Sequence, residues 1–354
     1  MGRGILSAIV VGALLAPAQA ADAAPLRLGM VFKYLASAPG VSSPVTSVAR
    51  SLDGLALELR WFRVQPTCGA IRRGEYLWEQ ADRAMELARD QGLPVTLTLT
   101  KGASCTAPGP GDEPTAKWQD DWARFVAAAA RRYGSDPVTG IEVWSEPNLH
   151  KDFGGPPSAY GRFFLKTERT VRRADPDVRV LVGGLGFCCG PHLWVRQLYK
   201  SKSMRRRGRH IGAHPYSPSP AVAIKRLRLV RRELPRRSDI TITEHGWSTC
   251  PRPTETKQRK CVTPEEQARQ MERYIELLRL NKSKLDLRAF YWFQSQDFAE
   301  PEHVAECDDS PKGFYGIWTF AGHPKPSHAV WEEATGTDLP QVIPENPLVR
   351  PCRE

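Results

Sequence analysis

The first informative features of this sequence are absences. Beyond its first 20 residues no apolar run approaches the roughly 20 residues that cross a bilayer, which excludes a bundle of membrane helices. Internal repeats and low-complexity segments are also missing, so repeat architectures, collagen and disordered chains are excluded. No CxxC or HExxH spacing supplies paired metal ligands, and we expect neither a metal nor an organic cofactor.

The composition is that of a globular protein of enzyme size. The 354 residues are 41% hydrophobic and 25% charged. The net charge of +11 would suit nucleic acid or an anionic glycan, and the most basic stretches are 205–209 and 225–237. The second stretch has helical spacing of its apolar residues, so its cations are expected on a solvated outer face. Since no nucleic-acid-binding module is recognisable, we expect no nucleic-acid partner.

The N-terminus has the three parts of a secretory signal. Arg3 precedes the apolar run 5–16, and the small-residue stretch 17–20 follows as a cleavage site. We therefore expect residues 1–20 to be removed and the protein to be secreted. A membrane anchor is the alternative, for which an apolar run of about 12 residues is short. Export would allow the eight cysteines to pair as disulfides.

Short β-branched runs alternate with amphipathic segments along the mature chain. The eight predicted strands are 26–32, 55–64, 94–100, 140–144, 178–182, 210–213, 240–243 and 287–293. The clearest predicted helices are 77–91, 118–133, 160–174, 221–234 and 264–280. Eight such units predict one (β/α)8 TIM-barrel domain over 21–336, with a doubly wound open sheet as the alternative. Residues 337–354, with four prolines, are expected to form an extended C-terminal tail.

Two glutamates end predicted strands on opposite walls of such a barrel. Glu146 follows the fourth strand in the motif Trp-Ser-Glu-Pro-Asn, and Glu244 follows the seventh in Thr-Glu-His-Gly-Trp. Because the reactive groups of these barrels lie where strands end and loops begin, both carboxylates are expected at the catalytic rim. An ordinary salt bridge is the alternative for each. Glu142, four residues before Glu146, is expected to be a lumen or structural ion-pair group.

The two motifs resemble the signature of the clan A retaining glycoside hydrolases, in the manner of families 5 and 39. The resemblance covers nearly the whole mature chain and includes the segments 313–317 and 324–326, which look like the clan's closing segment. It implies that Glu146 is the acid/base and that Glu244 is the nucleophile of a double displacement.

The same resemblance implies further contacts around the sugar. Arg63 would bind the nucleophile, His214 and Tyr216 would face the sugar, and Trp292 would form the floor of the glycone subsite. The alternatives are neutralisation of a buried acid by Arg63 and core positions for the other three. Trp247 is expected to line the sugar site or to be a core aromatic, because aromatic faces stack on pyranose rings.

One position departs from the clan's pattern. Ser145 precedes the acid/base, where the clan has an Asn that donates a hydrogen bond to the sugar 2-hydroxyl. The shorter serine side chain would need a water molecule to reach that hydroxyl. The departure bears on the efficiency of hydrolysis or on the group at C2, and it removes neither carboxylate.

The cysteines suggest two loop disulfides. Cys68 and Cys105 follow neighbouring strands, and Cys250 and Cys261 bracket ten residues after the seventh strand, so each pair is expected to be bridged. The adjacent pair Cys188 and Cys189 would seldom bond to each other, because their Cα atoms are too close for ordinary disulfide geometry. Their expected partners are Cys307 and Cys352.

These patterns predict a secreted, monomeric, retaining glycoside hydrolase that acts on an oligo- or polysaccharide. A non-catalytic glycan-binding barrel and a transglycosylase with the same two carboxylates are the alternatives. The sugar, the linkage and the mode of attack depend on loops whose sequence carries no readable code.

Overall fold

The fold is a closed barrel of eight parallel strands in the order β1 to β8. The computed structural model describes residues 25–32, 45–100, 113–249, 261–297 and 313–344. The strands are β1 Arg27–Val31, β2 Leu55–Arg60, β3 Val95–Thr100, β4 Val138–Ser145, β5 Arg179–Gly186, β6 His210–His214, β7 Asp239–His245 and β8 Leu287–Trp292. Because β1 pairs with both β2 and β8, the predicted (β/α)8 barrel is confirmed and the open sheet is excluded.

Helices cover the outside of the barrel. In chain order they are α1 Val45–Val48, α2 Trp61–Val64, α3 Cys68–Arg73, α4 Glu79–Asp90, α5 Ala116–Tyr133, α6 Pro157–Ala174, α7 Pro191–Leu198, α8 Lys202–Arg207, α9 Pro220–Glu233, α10 Pro264–Leu285 and α11 Pro326–Thr335. Five of them begin with proline, which lacks only an N–H that the first helical turn leaves unpaired. The five predicted helices are present, whereas the sequence pattern missed the short helices around them.

Strand alternation divides the buried side chains into an outer and an inner set. The outer set packs between strands and helices and includes Trp61, Trp118 and Trp122. The inner set fills the lumen and consists of Val31, Ala56, Ala289, Tyr291, Phe293 and Tyr315. Tyr291 occupies the lower lumen, and a Cβ on Gly29 would lie 2.6 Å from its ring, so only glycine fits beside it on β1. The lower barrel is therefore packed, and groups that can meet a ligand lie at the carboxyl ends of the strands.

The described part of the C-terminal tail packs along the molecule. Leu339 and Ile343 are buried, and the Ile343 N–H donates to the carbonyl of Gly322. The Gln296 side chain donates to the carbonyl of Pro344. Residues 337–344 are thus held against the body of the protein, and the rest of the predicted tail, like the predicted signal at 1–20, lies outside the described residues. Within the described ranges, no helix has the length and apolar character of a membrane span.

Candidate active site

A break in alternation at the end of β4 brings Ser145 and Glu146 to the lumen. Glu142 faces inward, and Val143 faces the outer core. Trp144 should then face inward, but it has a left-handed φ of 74° and its ring packs edge-on against Trp118 and Trp122. Ser145 consequently lines the lumen, and Glu146 follows with φ 50°. Left-handed φ values at two non-glycine residues separated by a single position are unusual, and such residues cluster at functional sites.

A second irregularity places Glu244 in the same lumen. The pairing of β7 with β8 shifts between Ile242 and His245, so both intervening residues turn inward. Thr243 and Glu244 therefore line one cavity with the end of β4. Its wall is formed by Val31, Ala56, Leu57, Glu58, Thr98, Ser145, His214, Thr243 and Glu244.

His214 lies at the centre of this cavity, at the end of β6. Its Nδ1 is 3.5 Å from Oε1 of Glu146, and its Nε2 is 3.9 Å from Oε1 of Glu142. A Cβ on Gly184 would lie 2.1 Å from the same Nε2, so the ring occupies space that glycine leaves open on β5. The sequence-based expectation that His214 faces the site agrees with this placement.

Glu142 lies completely buried beneath the two rim carboxylates. Its two oxygens accept hydrogen bonds from the hydroxyls of Thr98, at 3.0 Å, and Thr243, at 2.7 Å. Burial raises the pKa of Glu142, and the nearby His214 and the two hydroxyls offset part of that rise. Glu142 is thus a buried lumen carboxylate, in agreement with the sequence-based expectation of a lumen or structural ion-pair group.

The surrounding carboxylates hold His214 in its charged form. Burial alone would lower the pKa of His214, but Glu244, Glu146 and Glu142 outweigh burial and raise it to about 9. The imidazolium therefore balances part of the negative charge in the cavity at neutral pH. His245, at the end of β7, behaves in the opposite way, since burial lowers its pKa to about 3.

Tyr216 connects the nucleophile candidate to an aromatic wall. Its hydroxyl donates to Oε1 of Glu244 at 2.7 Å, which orients the carboxylate. Its ring meets Tyr315 edge-on at 5.8 Å, and Tyr315 meets Phe293 in the same way at 5.4 Å. The sequence prediction named Tyr216 but missed Tyr315 and Phe293. Alternation along β8, counted from the lumen residue Tyr291, would have identified Phe293.

Both predicted tryptophans lie in the outer core and do not line the cavity. Trp292 pairs in register with His245, so its side chain points outward with that residue, and it is fully buried. Its indole N–H donates to the carbonyl of Tyr315. Trp247 packs against His245 and donates to the carbonyl of Ser217. This placement corrects the predicted sugar-contacting roles of Trp292 and Trp247. Both are core aromatic residues, which was the alternative for each of them.

Arg63 is also placed away from the cavity. The second strand ends at Arg60, and the chain turns there into α2, so Arg63 is exposed and stacks over Phe62. The prediction treated 55–64 as one continuous strand and was wrong on this point. Arg60 is instead the arginine at the end of β2, and it forms an ion pair with the lumen residue Glu58.

The cysteines agree with the predictions in part. Cys68 and Cys261 are each disulfide-bonded, but their predicted partners Cys105 and Cys250 lie outside the described residues, so the two pairings stay predictions. Cys188 and Cys189 are both free thiols. The expected bridges from this pair to Cys307 and Cys352, which are also outside the described residues, are therefore not formed.

The donors in the described part of the chain do not converge on a metal site, since no three His, Cys, Asp or Glu side chains have the required arrangement. The cavity instead presents carboxylates, one imidazolium and hydroxyl groups. Such a set can donate and accept protons and can attack an electrophilic carbon.

Comparison with solved structures shows which proteins share this barrel. A monomeric β-xylosidase from Caulobacter crescentus CB15 is 19% identical, with a TM-score of 0.62 over 88% of this chain and 68% of that one. A GH39 enzyme from Xanthomonas axonopodis pv. citri is 17% identical, with a TM-score of 0.62 over 89% and 67%. A xylanase from Paenibacillus barcinonensis is 14% identical, with a TM-score of 0.65 over 87% and 95%. No family model and no curated protein matches the chain. The fold is therefore one that glycoside hydrolases use.

Proposed function

We propose that this protein is a secreted retaining glycoside hydrolase of clan A, with Glu146 as acid/base and Glu244 as nucleophile. The observation that carries the proposal is the convergence of both glutamates on His214 at the carboxyl ends of β4 and β7. Two carboxylates across a pocket are the minimal machinery for glycosidic bond cleavage. The shared barrel fold of the xylosidase and the xylanase supports the same class.

The contacts of each carboxylate suggest its role. Glu244 accepts the Tyr216 hydroxyl, which fixes the carboxylate for attack on the anomeric carbon. Glu146 has 16% of its side chain exposed, so a leaving group could reach it. It would donate a proton to that group and later deprotonate the attacking water. His214 lies between them and would counter the charge that moves from one carboxylate to the other.

The aromatic wall suggests which class of substrate the cavity would bind. Tyr216 packs against the buried Tyr315 and Phe293 on the lumen side of the barrel, and in this proposal the aromatic cluster faces one side of a pyranose ring. The substrate class in this proposal is a neutral oligo- or polysaccharide, with xylo-oligosaccharides as the first to test because of the printed activities of the neighbours. We expect the enzyme to act as a monomer without a metal or organic cofactor.

The test uses aryl glycosides with good and poor leaving groups. Glu244→Ala should abolish turnover of both kinds, because no covalent intermediate can form. Glu146→Ala should slow the poor leaving group by about 10²–10⁴-fold, the usual contribution of general acid catalysis, and leave the glycosylation of the activated substrate little changed. Steady-state and burst-phase rates of released phenol give the measurement.

Azide distinguishes the roles of the two glutamates, and the reaction products distinguish hydrolysis from the two alternative functions. It should yield a glycosyl azide of retained configuration with Glu146→Ala and of inverted configuration with Glu244→Ala. Wild-type rates for Glu244→Ala on the activated substrate would overturn the assignment. Glycan binding without any release of phenol would indicate a binding protein, and chain-lengthened products without net hydrolysis would indicate a transglycosylase.

A further inference from the structure

Two adjacent thiols occupy the turn between β5 and α7, at the rim of the cavity. Cys188 is half-buried and Cys189 is exposed, and their sulfur atoms are 2.9 Å apart. A disulfide bond is about 2.05 Å long, so the two sulfurs need to approach by about 0.9 Å to bond. Both thiols are free, and the proposed hydrolytic reaction uses neither of them.

The backbone of the turn brings the two side chains together. Adjacent side chains on an extended strand point to opposite sides, which would separate these sulfurs. Here Cys189 has φ 58° and Gly190 has φ 73°, two successive left-handed residues. The backbone therefore leaves the extended conformation at this point, and both sulfurs lie on the same side of it.

Neighbouring residues hold the turn in place from two sides. The Asn148 side chain donates to the Gly186 carbonyl at 2.7 Å and accepts from the Gly186 N–H at 2.9 Å. On the other side, an Arg226 amino group donates to the carbonyl of Phe187 at 3.1 Å. Helix α7 then starts at the buried Pro191. These hydrogen bonds hold the turn, and with it the two sulfur atoms, in a fixed position.

We propose that Cys188 and Cys189 form a redox modification site that closes to an internal disulfide in an oxidising compartment. The oxidant is a low-molecular-weight disulfide. The exposed Cys189 thiolate attacks one sulfur of the oxidant, forms a mixed disulfide and releases one thiol. The Cys188 thiolate then attacks the Cys189 sulfur and releases the second thiol. The protein loses two electrons and two protons, and the oxidant is reduced to two thiols.

The surroundings of Cys188 make the second step dependent on pH. Burial, the neighbouring Cys189 and the negative charge of Glu146 raise the pKa of Cys188 to about 11. Because only the thiolate attacks, ring closure should accelerate throughout the range from neutral pH towards that value. The closed ring contains eight atoms and is strained, so it should be more easily reduced than the disulfides of Cys68 and Cys261.

The test is peptide mapping of the full-length protein, and it does not depend on glycosidase activity. Trypsin cleaves after Arg179 and Arg196, and the peptide 180–196 contains only Cys188 and Cys189. After treatment with oxidised glutathione, acid quench and N-ethylmaleimide, this peptide should be unlabelled and about 2 Da lighter than the dithiol form. After mild reduction it should carry two maleimide labels, while the Cys68 and Cys261 peptides remain unlabelled.

Two matched variants are the controls. Cys188→Ser and Cys189→Ser each retain one thiol, so after oxidation the peptide should carry either one maleimide or one glutathione. Two maleimides on the wild-type peptide after oxidation would overturn the proposal. A stable glutathione adduct on the wild type, or a cross-link to the peptide of Cys307 or Cys352, would overturn it equally.

Discussion

Tyr216 acts on the candidate nucleophile through one atom, its hydroxyl oxygen. The hydrogen bond to Glu244 is 2.7 Å long, and a bond to a charged acceptor contributes about 1.5–3 kcal/mol. We expect Tyr216→Phe to lower kcat by roughly 10–100-fold, since each 1.4 kcal/mol corresponds to about a factor of ten. The apparent KM should change much less, because the substitution removes only the hydroxyl and retains the aromatic ring. Steady-state kinetics on an activated aryl glycoside give both quantities.

Tyr133→Phe is the matched control for this prediction. The Tyr133 hydroxyl donates to Asp82 at 2.8 Å in the helical layer, far along the chain from the cavity. Its removal should reduce the free energy of unfolding by about 1.5–3 kcal/mol, as for any bond to a charged acceptor, and leave kcat unchanged. Equal losses of kcat in the two variants would show that the Tyr216 effect is general destabilisation.

The sequence predicted the residues that sit at strand ends and missed those that depend on register. Glu146, Glu244 and His214 could be placed because a barrel brings the ends of its strands to one rim. The inward position of Phe293, in place of Trp292, depends on which residue of β8 faces the lumen. One step along a strand reverses the face, and a single sequence gives no measure of that step.

At the level of whole elements, a buried ion pair joins the end of β8 to the segment before α11. The Lys325 ammonium contacts both oxygens of Asp297, at 2.8 and 2.6 Å, and the Thr249 hydroxyl at 2.8 Å. Asp297 also accepts the Gly316 N–H at 2.7 Å. Lys325 also donates to the carbonyl of Phe314 at 3.4 Å, so the pair holds the backbone on both sides of Tyr315, the central residue of the aromatic wall.

Removal of one partner of this pair should be costly. Lys325→Met leaves a buried carboxylate without its cation, and we expect the free energy of unfolding to fall by about 3–5 kcal/mol. The double variant with Asp297→Asn should be more stable than Lys325→Met alone, because it removes the uncompensated charge. Urea unfolding of the wild type, both single variants and the double variant measures the coupling.

The exposed pair Arg83 and Glu79 on α4 provides the comparison. Its ions are 2.7 Å apart, but both side chains are more than half exposed. Glu79→Gln should change the free energy of unfolding by less than about 1 kcal/mol. A loss for Lys325→Met as small as that would contradict the role given to the buried pair.

For element boundaries, the sequence was informative except where a strand passes directly into a helix. Apolar residues continue on both sides of Arg60, from Leu55 to Val64, so hydrophobicity alone could not show that β2 stops at Arg60 and α2 begins at Trp61. That boundary decides whether Arg63 or Arg60 lies at the rim. The irregularities at Trp144 and Glu244 were equally invisible, because they depend on tertiary packing.

At the scale of the whole molecule, two buried histidines give opposite slopes to the dependence of stability on pH. The folded protein raises the pKa of His214 to about 9, so its contribution is complete below about pH 6.5 and is lost as pH rises through 9. It lowers the pKa of His245 to about 3, so that contribution is present above about pH 6.5 and is lost as pH falls towards 3. Stability should therefore be greatest near the crossover.

Urea unfolding across this range tests both slopes. The free energy of unfolding should fall by on the order of 1–3 kcal/mol between about pH 6.5 and 9 in the wild type. His214→Gln should flatten this alkaline decline, and His245→Phe should flatten the acid decline. An unchanged alkaline slope in His214→Gln would assign the decline to other groups.

The tryptophans behind β4 have an optical consequence. Trp118 and Trp122 are stacked with centroids 5.6 Å apart and planes 5° from parallel, and Trp144 meets both rings edge-on. Indole transitions at this separation couple as excitons and give paired bands of opposite sign in circular dichroism. Since Trp144 is two residues before Glu146, any ligand that displaces the end of β4 should alter those bands. The protein thus contains its own chromophore for following events at Glu146.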